Sequence, residues 1–304
     1  MGGARRTAAL IVGLLALAGA ATASAALRHG GTRVDVYVVD IRTGVVSPMT
    51  ANPESPEDKL AYSPSWSPDA RRLVYAETRC HGCNSEIRVT PTRVRPVPLG
   101  KRIGFGFHPR WSPTGSTIAF VDTAGSIETM RDDGSGRRVV ARGGLANDDP
   151  AWSPDGRTLA FSRQLDAASW SIYLVGAKGG ATRPLLRGAG QAVNPAWSPD
   201  GRQIVFALRG GNGRWQIAVV RRNGTHLRRL SDGTASDSSP TWSPDGRQIV
   251  FVREQGIDGS ALYVVSAHGG RAKRLTPKSL AAVQPQWSPR GTFVAFSARV
   301  LHSD

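Results

Sequence analysis

The chain has 304 residues, a formal charge of +16 and two cysteines. That length holds one large all-β domain or two ordinary ones, and 40% hydrophobic residues suffice for a core. Thirty-five glycines and 20 prolines exclude a helical bundle; their mixing with Val, Ile, Phe and Trp excludes a disordered chain, and two cysteines exclude a disulfide-built scaffold.

The first segment reads as a leader. Arg5 and Arg6 precede an uncharged Ala/Leu/Gly/Val run over 7–23, and Ala23-Ser24-Ala25 places small residues where a signal peptidase cleaves. This is the three-part pattern of a secretory signal over 1–26, with a propeller domain (argued below) over 27–304. The alternative is an uncleaved anchor, since the run lies near the lower length for spanning a bilayer; membrane contact is expected only in that case. No cysteine follows the run to carry a lipid. The domain is therefore expected outside the cytoplasm: extracellular, periplasmic or held at the cell envelope. Without Arg5 and Arg6 it stays strongly basic, almost entirely through arginine. Those arginines are spread along the chain without a recognition module, so no nucleic-acid partner is expected.

Two strands come next, Val34–Val39 and Val45–Met49, around a Thr43-Gly44 turn. A repeat then takes over. Pro64-Ser65-Trp66-Ser67-Pro68-Asp69 returns around Trp111, Trp152, Trp197, Trp242 and Trp287, with spacings of 45, 41, 45, 45 and 45 residues. Six copies at that period indicate stacked supersecondary units. After each Ser-Pro-Asp-Gly turn comes a short strand ending in an aromatic (Tyr75, Phe120, Phe161, Phe206, Phe251, Phe296). A loop, a second strand such as Ser171–Val175, a Gly-bearing turn and a last strand follow. Each unit thus has four antiparallel strands, and no helical period appears after the leader.

Pro-Asp-Gly supplies a fixed φ, a side chain that bonds nearby amides, and a left-handed position. The six tryptophans are expected to fill the wedge between adjacent sheets, as architecture rather than chemistry. Three copies depart from the turn motif, at Ala70, Thr114 and Arg290, and Ala70 fits worst because a side chain at positive φ costs on the order of 1 kcal/mol. The sixth copy stops after two strands, near Ala298, and the first two strands of the chain supply the missing pair. The expected fold is an all-β, six-bladed β-propeller of four-stranded antiparallel blades, its last blade closed by the N-terminal strands.

The unit P-x-W-S-P-D-G-x-x-I-x-F, followed by I-Y and a Gly turn, resembles the WD-type repeats of the TolB propeller family over residues 33–304. The resemblance concerns the propeller alone; the protein that gives the family its name carries an α/β domain ahead of it, whereas here few residues separate the expected leader from the first strand. It implies a non-catalytic binding scaffold, a monomer, whose partner is an exported or envelope protein or an anionic ligand, with no cofactor. Some TolB-like propellers, such as oligogalacturonate lyases, are metal-dependent, and this implies the alternative of a metal-assisted lyase or hydrolase acting on an anionic glycan at the channel mouth. No G-x-S-x-G occurs for a peptidase of the prolyl-oligopeptidase kind.

Three groups of residues are candidates. The residues just before the repeated prolines, Ser63, His108, Asp149, Asn194, Ser239 and Gln284, are all polar and are expected to ring the channel mouth, with Asp148 and Asp237 close by; the plainer reading is that they cap strand entrances. His108, with Asp149 and Asn194, is where a divalent ion would sit. Arg79, Arg163, Arg209, Arg253 and Arg299 follow the aromatic-ended strands and read as a basic collar on the same rim, or as ordinary solvated and acid-paired arginines. Cys80 and Cys83 flank His81 and Gly82 in a loop on that rim; in an exported protein a local disulfide is expected before a metal clip.

Overall fold

The computed structural model describes residues 33–50, 59–78, 84–92, 100–186, 190–256 and 259–301. The leader expected over 1–26, Arg79, and the expected Cys80–Cys83 disulfide lie outside the described residues.

Every strand belongs to one of six four-stranded antiparallel sheets. In chain order, β1 (Asp35–Asp40) and β2 (Val46–Pro48) come first. Blade 1 holds β3 (Leu60–Trp66), β4 (Arg72–Thr78), β5 (Glu86–Pro91) and β6 (Lys101–Phe105). Blade 2 holds β7 (Phe107–Trp111), β8 (Thr117–Val121), β9 (Ile127–Arg131) and β10 (Arg138–Ala141). Blade 3 holds β11 (Ala146–Trp152), β12 (Thr158–Gln164), β13 (Trp170–Gly176) and β14 (Arg183–Pro184). Blade 4 holds β15 (Ala192–Trp197), β16 (Gln203–Arg209), β17 (Trp215–Arg221) and β18 (Arg228–Arg229). Blade 5 holds β19 (Asp237–Trp242), β20 (Gln248–Glu254), β21 (Ser260–Ser266) and β22 (Lys273–Arg274). β23 (Leu280–Trp287) and β24 (Phe293–Val300) start blade 6, whose order β23-β24-β1-β2 is completed by the N-terminal pair. The register runs Asp35 opposite Ala298 to Asp40 opposite Phe293. This closure removes the unpaired edges an open sheet would leave.

The repeat motif explains itself at atomic level. In the third copy Ser153 Oγ donates to Asp155 Oδ1 at 2.6 Å and accepts from Thr158 N at 2.9 Å, while Asp155 Oδ1 accepts from Arg157 N at 3.0 Å. The same pattern recurs around Ser67, Ser198 and Ser243. Turn hydrogen bonds hold each of these aspartates below the ordinary carboxylate range. The turn glycine serves a second end: at Gly201 (φ +68°) an added Cβ would lie 3.2 Å from Pro154 of the preceding turn. Consecutive turns therefore interlock around one rim. Ala70 does adopt the left-handed conformation, at φ 58°.

The six tryptophans sit between blades. Trp197 packs with Ile172 and Leu174 of blade 3 as well as Ile204 and Phe206 of its own blade, and Trp287 joins Val250 and Leu262 to Val294 and Phe296. The core is thus a ring of interblade layers, and each large-to-small change there would remove contacts from two sheets.

The seam where the chain ends meet carries a buried charge network. Lys59 is 2% exposed, and its Nζ lies 3.6 Å from both Asp35 Oδ1 and Glu77 Oε2 and donates to Thr50 O at 3.0 Å. Arg88 Nε lies 3.2 Å from Glu77 Oε1. Val34 also bridges to Leu60 in parallel. Blade 6 and blade 1 are therefore locked by ions as well as by apolar packing.

Candidate functional site

Each blade's innermost strand (β3, β7, β11, β15, β19, β23) breaks register at the same place, before its proline. The residue at that bulge is left-handed in all six cases: Ser63 at φ 52°, His108 at 46°, Asp149 at 49°, Asn194 at 55°, Ser239 at 48° and Gln284 at 53°. None is glycine, so each holds strain on the order of 1 kcal/mol. A bulge re-aims a side chain out of the strand's alternation, and here it turns six side chains toward one another along the axis. They lie mid-strand, one layer inside the channel from the rim.

The six meet in a nearly continuous chain of hydrogen bonds. Asn194 Oδ1 accepts from Ser239 N at 3.3 Å, and Asn194 Nδ2 donates to Asp149 Oδ2 at 2.6 Å. Asp149 Oδ1 lies 3.6 Å from His108 Nδ1, whose closest partner is Asp148 Oδ1. On its other side His108 Nε2 meets Gln284 Nε2 at 3.3 Å, and Gln284 Oε1 accepts from Ser63 N at 3.0 Å. Ser63 Oγ, in a fully buried residue, has no partner among the described residues.

Two further residues complete the polar centre. Arg110 Nη1 reaches Ser63 O at 3.5 Å and Pro109 O at 3.3 Å, and Tyr62 stands edge-on to the His108 ring at 6.3 Å while its hydroxyl bonds Ser85. A sequence signal for Arg110 existed: it is the one charged residue among the P-x-W copies, where the others hold Ser65, Ala151, Ala196, Thr241 and Gln286. Asp148, the nearest partner of His108, was visible only as a neighbour of the ring position.

The electrostatics follow from burial and crowding. Burial pushes Asp149 up, the Asp148 charge adds to this, and His108, Arg110 and Asn194 oppose it; the carboxyl titrates at about 6. Burial pulls His108 down, but the Asp148 charge and hydrogen bond, with Asp149 behind them, outweigh it and hold the imidazole above its usual value. Burial lowers Arg110 against the pull of both carboxylates, and lifts Tyr62 to about 12. Above the titration of Asp149, Asp148 and Asp149 face His108 and Arg110. In acid, protonating Asp149 makes the cluster more positive.

His108, Asp148 and Asp149 each offer a ligand atom, all within 4.8 Å of one another. One imidazole and two carboxylates suit a divalent cation such as Mn²⁺ or Ca²⁺. Asn194 adjoins that trio, its Nδ2 donating to Asp149 Oδ2.

The arginine collar does not assemble as expected. Arg163 and Arg253 stand two residues after their phenylalanines, whereas Arg209 and Arg299 stand three after Phe206 and Phe296. Side chains alternate along a strand, so that difference puts the two pairs on opposite faces of their sheets. Arg163 is buried over the Phe161 and Tyr173 rings and donates to Asn147, Thr182 and Arg142 O. Arg253 grips Asp237 through two bonds of 2.7 and 2.8 Å and stacks on Tyr263; Asp237 is thereby tied to its own blade rather than to the ring. Arg209 is exposed, bonded to Gly213 O and Gln191, and the Nε of half-buried Arg299 has no partner among the described residues. Two of the four are structural, and the rim charge is mixed.

The comparisons with known proteins agree on the fold. The family described as TolB beta propeller domain matches residues 105–212 and 190–302. Among solved structures, putative TolB from Agrobacterium tumefaciens is 24% identical with a TM-score of 0.74, covering 89% of this chain and 99% of that one. TolB from Acinetobacter baumannii is 17% identical with a TM-score of 0.63, covering 92% and 67%. An oligogalacturonate lyase in complex with manganese is 13% identical with a TM-score of 0.53, covering 88% and 96%. No curated protein matches the chain.

Proposed function

Because the chain belongs to the TolB β-propeller family, we propose that it is an exported, monomeric, non-catalytic binding scaffold. The polar channel, entered from the rim of interblade connections, receives a segment of another exported or envelope protein. The observation that carries this reading is the ring of six left-handed residues, one from each blade. Strained, buried and mostly satisfied by one another, they form a preorganised set of donors and acceptors rather than a nucleophile with its base. The partly exposed Gln284, whose Nε2 faces His108 Nε2, is where a peptide backbone would bond.

A photo-crosslinking residue in place of Arg209, on the proposed entry rim, tests this in intact cells, with the same residue in place of Arg202 on the opposite rim as control. The reading expects a discrete protein adduct from the first position and none from the second; adducts from both alike would oppose it.

A second reading has its own support in the His108, Asp148 and Asp149 trio: a metal-assisted lyase or hydrolase acting on an anionic glycan. The three side chains would hold the ion, which would supply a Lewis acid or an activated water, and Arg110 beside them would meet substrate charge. Metal retained by the purified protein, with turnover of acidic oligosaccharides lost in His108→Ala, would favour it.

A further inference from the structure

The strand order puts two sets of turns on the rim opposite the proposed entry: those between first and second strands, and those between third and fourth. In blades 3, 4 and 5 this rim is basic. Each inner turn ends on an exposed arginine, Arg157, Arg202 or Arg247. Asp155, Asp200 and Asp245 beside them are exposed and held ionised by their own serine hydroxyl and turn amide, so each offsets one of these arginines and the excess positive charge rests on the outer hairpins.

The outer hairpins add more. The β17–β18 hairpin of blade 4 runs Arg221-Arg222-Asn223-Gly224-Thr225-His226-Leu227-Arg228-Arg229 without an acid, and all four arginines are exposed. Among the described residues no carboxylate pairs with any of them. Blade 3 contributes Lys178 and Arg183, and blade 5 Arg271 and Lys273, again exposed. The hairpins abut: Arg228 Nη2 donates to Ala267 O of blade 5 at 2.7 Å, and a Cβ on Gly224 would meet Leu185 O of blade 3 at 2.3 Å. The positive charge is thus continuous across three blades. The entry rim of the same blades carries Asp166, Asp232 and Glu254 among its arginines.

We propose that this rim docks the propeller onto an anionic lipid surface. The charge sits on turn tips at one end of a disc, matched from blade to blade, which suits a plane of headgroups. Arginine outnumbers lysine, and a guanidinium takes a phosphate through two bonds. Leu227, 42% exposed in the middle of the basic hairpin, gives an apolar contact at the headgroup boundary. Each basic residue near such a surface adds about 1 kcal/mol, screened by salt. The docking leaves the entry rim facing away from the lipid, and it stands whether or not a protein partner enters the channel.

The test is co-sedimentation of the full chain with vesicles of phosphatidylcholine alone or with 30% phosphatidylglycerol, about the composition that gives a substantial negative surface potential. Two variants carry equal charge changes: Arg222→Glu with Arg229→Glu on the basic rim, and Arg142→Glu with Lys278→Glu on the other. Melting curves confirm that both remain folded. Binding should require phosphatidylglycerol, weaken with salt, fall at least ~10-fold in the first variant and stay within ~2-fold in the second. Equal losses in both variants, or equal binding to neutral vesicles through the apolar N-terminal run, would overturn the proposal. So would retention on heparin without any vesicle binding, which would point to a soluble polyanion.

Discussion

Gln284 of blade 6 reaches past blade 1 to place its Nε2 3.3 Å from the Nε2 of His108 in blade 2. Only a narrow channel lets an amide from one blade meet an imidazole two blades on. With Asp148 and Asp149 on the other side of that imidazole, the channel centre is a compact titrating group, and its properties are open to measurement.

Asp149 titrates at about 6, well above an ordinary carboxylate. The folded protein therefore holds a proton that the unfolded chain releases, and stability falls as pH rises from about 4 through 6. His108, held above its usual value, works in the same direction: its contribution is present in acid and is lost as pH rises through the folded pKa. Asp149→Asn should flatten this decline. At pH 8 the variant should be more stable than the parent, by on the order of 2 kcal/mol, with little difference at pH 4. Denaturant titrations at both pH values check this.

The ionic seam should be costly to break. Lys59→Ala would leave Asp35 and Glu77 facing each other without the ammonium between them. A loss of about 1.5–3 kcal/mol is expected, as for charged hydrogen bonds removed, since Arg33 and Arg88 still partner the two carboxylates. An unfolding midpoint unchanged by this substitution would mean that strand pairing alone closes the ring.

Ala70 tests the turn argument in the opposite direction. It holds φ 58° where all five other copies have glycine. Ala70→Gly should stabilise the protein by about 0.5–1 kcal/mol, since the relieved backbone strain exceeds the added chain entropy. Thermal melts resolve a shift of that size.

Arg253 and Arg209, alike in the sequence, should behave differently. Arg253→Ala strands a fully buried Asp237, and about 3 kcal/mol or more should be lost. Arg209→Ala removes an exposed side chain, and stability should move by less than about 0.5 kcal/mol. Paired denaturation curves would show whether the structural division of the collar holds.

The fold was open to reading because its determinants are local and repeated. Trp, Ser-Pro-Asp-Gly and the aromatic-ended strand each act within a few residues, and the missing half-blade at Ala298 could be matched to Val34–Met49 by counting strands. The ring positions were visible for the same reason, since each precedes a proline. Their left-handed backbone was not, because the bulge arises from register against the second strand. Arg110 and the His108–Asp148 contact were hidden because they depend on which blades adjoin across the axis. The collar misled because a one-residue difference in spacing, trivial in sequence, reverses the face of a strand.

The most direct measurement is the affinity of the crosslinked partner, once isolated, for the parent protein and for Asn194→Ala with Gln284→Ala, two ring substitutions that leave the ionic seam and the apolar interblade core untouched. Measured where melting curves show both proteins fully folded, binding should weaken at least ~10-fold, the equivalent of losing one or two buried hydrogen bonds. An affinity equal to that of the parent would mean that the partner does not engage the channel, and the binding function assigned to it would be wrong.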